Sequence, residues 1–70
     1  MTVEVFKTDV QLPYMAQQLI ALLQRHFPGS RINFDLEDCD RILRIQGEHI
    51  CAEKAIQVLK ENNCFCEALQ

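Results

Sequence analysis

The chain is expected to fold as an α+β domain in the order strand, helix, strand, strand, helix, strand. Two longer stretches carry apolar residues at helical spacing, shorter ones alternate apolar and polar residues, and turn-forming residues fall between them. A length of 70 residues allows one domain, 1–70, with a modest core.

Thr2 to Val10 opens with alternation: Val3 and Val5 share one face, Glu4 lies between them, and Phe6 and Lys7 follow. That pattern reads as a half-buried strand. Pro13 suits the first turn of a helix, where its missing N–H costs nothing. From Tyr14 to about Phe27, the residues Ala16, Leu19, Ile20, Leu23 and Phe27 keep helical spacing, and Met15 and Leu22 broaden the face. Pro28-Gly29 stops this helix. Arg31 to Glu37 alternates again, with Ile32, Phe34 and Leu36 facing one way and Asn33 and Asp35 the other. The acidic turn Asp38-Cys39-Asp40 leads into Arg41 to Gln46, with Leu43 and Ile45 inward and Arg44 outward, so the two runs form a hairpin that ends at Gly47. Ile42, on the opposite parity, belongs to the outer face.

A second helix is expected from about His49 or Ile50 to Glu61. Ala52, Ala55, Ile56 and Leu59 face inward, and Glu53, Lys54, Gln57 and Lys60 face water. Asn62-Asn63 offers a left-handed stop. Cys64 to Leu69 supplies a last short strand with Phe65 and Leu69 as apolar bulk. Two strand-helix-strand halves with right-handed crossovers give a four-stranded antiparallel sheet with both helices on one face, the ferredoxin-like βαββαβ fold.

Composition excludes several functions. The net charge is −3 and the seven basic residues are scattered, which argues against a nucleic-acid surface. No apolar run approaches membrane-spanning length and no basic segment precedes an apolar one, so the expected location is cytoplasmic and the four cysteines are expected as free thiols. No glycine-rich phosphate loop and no Ser-His-Asp or Cys-His arrangement stands out, so no enzyme is expected. The acylphosphatase variant of this fold uses an arginine after the first strand, and here the first arginine is Arg25.

The stretches Thr2-Val3-Glu4-Val5, Phe27-Pro28-Gly29, Ile32 to Glu37, Leu43-Arg44-Ile45-Gln46-Gly47 and Asn63-Cys64-Phe65-Cys66-Glu67 resemble the heavy-metal-associated domain over nearly the whole chain. That family comprises carriers of copper, zinc, cadmium and mercury and the soluble modules of metal-pumping ATPases. Its motif Met-x-Cys-x-x-Cys spans the first loop and the start of the first helix, where this chain has Val10 to Met15 or Ala16 and no cysteine. Paired thiolates grip a soft ion, so the family's usual site is missing. The resemblance implies the scaffold and leaves Leu12, Pro13, Tyr14 and Met15 as a plug or docking patch for a protein partner. The strand around Arg31 to Glu37 adds an edge that a partner or a second copy could extend, giving a homodimer.

Two readings therefore stand: a binding module that has lost its metal site, and a Cu(I) or Zn carrier or sensor using Cys64 and Cys66. If the segment is extended, both sulfurs lie on one side with Cα atoms roughly 6.5 Å apart, a spacing that suits a shared Cu(I) better than a disulfide. The alternative is that both cysteines fill gaps at a sheet end, as free cysteine often does. Met15 offers a thioether but opens an apolar helical face, where methionine is usually core. Cys39 between Asp38 and Asp40 reads as a surface turn residue. Cys51 opens the second helix, His49-Ile50-Cys51 matches no spaced zinc pattern, and His26 complements the first helix's dipole.

Overall fold

The computed structural model describes residues 1–69. Its elements are β1 (Thr2–Thr8), α1 (Pro13–His26), β2 (Arg31–Asp35), β3 (Ile42–Gly47), α2 (Ala52–Glu61) and β4 (Cys66–Ala68). All four strands form one antiparallel sheet in the order β2-β3-β1-β4. Both helices contribute to one core on a single face of that sheet, so the fold is the ferredoxin-like α+β arrangement.

Register explains which side chains meet. Phe6 lies opposite Leu43, and Leu43 opposite Phe34; Ile45 lies opposite Ile32. Directly opposed residues share a face, so this parity builds the helix-facing layer. Onto it pack Ala16, Leu19, Leu23 and Phe27 of the first helical segment and Ala55, Val58 and Leu59 of α2. Val58 was absent from the expected inward stripe, and Ile56 is only half-buried. In β1 the inward anchors are Phe6 and Thr8, while Val3 and Val5 occupy the helix-free face, with Val3 53% exposed. The alternation of the first strand was legible, but two valines are a weaker anchor than the larger phenylalanine one position out of phase. Ile42 takes the outer parity as expected, yet it is buried there, outside the main core.

Local backbone chemistry sets the boundaries. Pro13 is the first residue of α1, and Leu12 precedes it with extended φ/ψ. Beyond α1, the Ser30 N–H donates to the Phe27 carbonyl at 3.2 Å across Pro28-Gly29, and Gly29 takes φ +83°. Proline then glycine with positive φ is the requirement of a type II turn. β2 ends at Asp35, whose carboxylate accepts the Glu37 N–H at 3.2 Å, and the hairpin closes through the Arg41 N–H to the Asp38 carbonyl at 3.0 Å. Arg41 itself has φ +48°, held by its guanidinium on the Leu36 carbonyl at 2.8 Å.

α2 starts at Ala52, later than helical spacing suggested, because His49 adopts φ +57° and Cys51 is extended. Its end is a Schellman motif. Asn63 takes φ +63° and its N–H donates to the Lys60 carbonyl at 3.0 Å, while the Cys64 N–H donates to the Leu59 carbonyl at 2.9 Å. β4 consequently spans only Cys66–Ala68 and not Cys64 to Leu69, since Cys64 belongs to the helix cap.

Candidate functional site

The end of the molecule where β1 runs out, α1 begins and β4 starts gathers most of the residues singled out from sequence. Thr8, the one buried polar residue among those described, locks this end. Its hydroxyl donates to the Arg41 carbonyl and accepts the Val10 N–H at 3.3 Å, and its own N–H donates to the Asp40 carbonyl at 3.1 Å. The loop after β1 is thereby fastened to the hairpin turn. Asp9 makes the second tie, accepting the Phe65 N–H at 2.9 Å across 56 residues of sequence. Neither role was visible in the sequence, because each depends on a tertiary hydrogen bond and leaves no periodic signal.

On this frame the corner residues divide by exposure. Leu12 is 56% and Tyr14 67% exposed, Pro13 is also exposed, and Met15 is half-buried. The Tyr14 hydroxyl accepts a hydrogen bond from the Gln18 side chain at 3.2 Å, which steadies the ring along the first turn of α1. Phe65, 50% exposed, flanks Cys64 at the same end. Met15 and Cys64 line one small cavity of about 120 Å³ together with Gln18, Leu19, Leu22 and Asn62. Tyr14 and Phe65 are the exposed chain neighbours of that pair, and with Leu12 they are the large apolar side chains left open at this end; Leu12 and Tyr14 belong to the patch expected from sequence, and Phe65 does not.

All four cysteines are free. Cys64 is buried in the core as the apolar member of the Schellman cap, and its thiol donates to the Asn62 carbonyl at 3.5 Å. Cys66 pairs with Thr8 in the ladder, so its side chain lies on the helix side and packs against the core. Burial, then the neighbouring Cys64, pushes the Cys66 thiol up to about 12, and burial, then the Asp9 carboxylate, raises the Cys64 thiol. Of the two cysteines only Cys66 belongs to the strand, while Cys64 closes the cap of α2.

Cys39 and Cys51 are exposed: Cys39 lies in the hairpin turn that Thr8 ties to the loop after β1, and Cys51 immediately precedes α2. Cys39 and the carboxylates of Asp38 and Asp40 lie within 4.8 Å of one another in the hairpin turn. The Asp38 carboxylate is already engaged there by the Asp40 N–H at 2.8 Å, and Lys7 sits 3.7 Å from Asp40. This cluster is the ordinary chemistry of a polar turn. Among the described residues no helix is long and apolar enough to cross a membrane. The chain matches none of the family models, curated proteins or solved structures with which it was compared.

Proposed function

We propose that this chain is a small cytoplasmic interaction module that shares the scaffold of the heavy-metal-associated domain it resembles, lacks that family's metal site, and docks a protein partner through its first-loop corner. The observation that carries this reading is the exposure of Leu12, Tyr14 and Phe65 at one end, mounted on backbone pinned by Thr8 and Asp9. Exposed large apolar groups on a firmly held frame suit recognition, since little ordering entropy is lost when a partner covers them. Aromatic side chains with a polar tip, such as Tyr14, are favoured interface anchors.

The second reading, a Cu(I) or Zn carrier using Cys64 and Cys66, draws support from the cavity that Cys64 shares with the Met15 thioether. It ranks lower because a soft ion is bound by thiolate, and burial, with Asp9 beside Cys64 and Cys64 beside Cys66, disfavours the thiolate form of both. The first loop itself, Val10 to Ala16, supplies no cysteine for the ion the family resemblance implies.

Capture from cell extract by the intact chain, compared with a Leu12→Ser/Tyr14→Ala double variant, tests the first reading. Both substituted side chains are exposed, so circular dichroism should report an unchanged fold. Retained proteins should drop at least tenfold with the variant, which corresponds to about 1.4 kcal/mol of docking energy. Equal retention by both forms would reject the corner as the docking surface.

A further inference from the structure

The open edge of β2 carries a sequence that complements itself. Backbone phase decides which groups it offers. The Leu69 N–H donates to the Val5 carbonyl at 2.8 Å, so Val5 and Lys7 turn their backbone groups toward β4, and Glu4, Phe6 and Thr8 turn theirs toward β3. Alternation then gives Leu43 and Ile45 to β1, and Ile42, Arg44 and Gln46 to β2. Opposite these last three lie Asp35, Asn33 and Arg31, whose N–H and C=O groups are therefore used within the sheet. The backbone groups of Ile32 and Phe34 point out of the free edge.

We infer that β2 pairs antiparallel with β2 of a second copy about a two-fold axis at Asn33, extending the sheet to eight strands. This register alone places Ile32 opposite Phe34 of the second copy, and those are the residues with free backbone groups, so four N–H···O=C bonds form. Arg31 then falls opposite Asp35 of the second copy, twice by symmetry, and Asn33 faces its own counterpart. Arg31, Asn33 and Asp35 share the helix-free face, and Ile32 and Phe34 the helix side. Each ion pair sits at a narrow, non-hydrogen-bonded position, where opposed side chains lie closest.

The ladder has defined ends. The Ser30 N–H is bonded to the Phe27 carbonyl, its carbonyl accepts the Gln24 side chain at 2.7 Å, and the Leu36 carbonyl is held by Arg41. Pairing is thus confined to the five residues Arg31–Asp35. So short an interface falls below about 1,000 Å², which makes the dimer weak and concentration-dependent. The surface is distinct from the first-loop corner; it adds a second copy to the interaction-module reading, and failure of one leaves the other standing.

Sedimentation equilibrium on the intact chain tests this with R31D, D35R and an equal mixture of the two. Each single reversal sets like charges opposite each other at two positions and should weaken self-association about tenfold or more. The mixture restores opposite charges across the axis and should recover wild-type association as a heterodimer. D35R also removes the acceptor of the Glu37 N–H, so amide shifts of the wild-type chain on dilution supply an independent readout, with Ile32 and Phe34 expected to move most. A chain monomeric up to its solubility limit, association indifferent to the reversals, or shifts centred elsewhere would each overturn the inference.

Discussion

Cys66 opens β4 and lies opposite Thr8 of β1. As half of Cys64-Phe65-Cys66 it suggested a soft-metal pair. In the fold it faces inward beside Thr8, with its thiol raised from an ordinary 9.0 to about 12 by burial and by Cys64. The neutral thiol is the form the native state accommodates, so its contribution to stability is complete below pH 9 and is lost as pH rises from there through about 12. Cys64, also raised, acts in the same direction. Thermal melts should therefore fall in Tm above pH 9, and Cys66→Ala should flatten that fall, leaving the part due to Cys64. Parallel wild-type and variant profiles would contradict the assignment. The motif itself was legible in sequence. The burial was not, because it follows from a ladder partner and a helix cap far away in the chain.

The elements were legible in type and order because apolar periodicity is a local property. Their ends were less so. α2 was expected from about His49 and begins at Ala52, and β4 was expected from Cys64 and begins at Cys66. In both cases a residue in left-handed conformation, His49 or Asn63, uses up chain that periodicity would assign to the element. Asn63 is the better adapted of the two, since asparagine tolerates that conformation and the Schellman bonds to Leu59 and Lys60 need it. Asn63→Ala should lose about 1 kcal/mol in denaturant unfolding, and Asn63→Gly should match or slightly exceed the parent. Equal stability of the alanine and glycine forms would mean that the cap contributes nothing to holding Cys64 in place.

At the scale of the whole molecule, a single core lies between two helices and one sheet face, which leaves the other face, the β2 edge and the first-loop corner for contacts outside the chain. From sequence the corner was singled out only through a resemblance, as apolar residues where the heavy-metal-associated family would carry its cysteines. That Phe65 lies exposed at the same end was not legible, because its backbone is tied to the loop after β1 by the Asp9 hydrogen bond. Recognition through this corner, with Cys64 and Cys66 serving as packing, is the central claim. Anaerobic titration of the intact chain with Cu(I) and with Zn²⁺, beside Cys64→Ala/Cys66→Ala, tests it most directly. The account predicts weak uptake that the double variant leaves unchanged. Tight, one-to-one binding abolished by the double variant would contradict it.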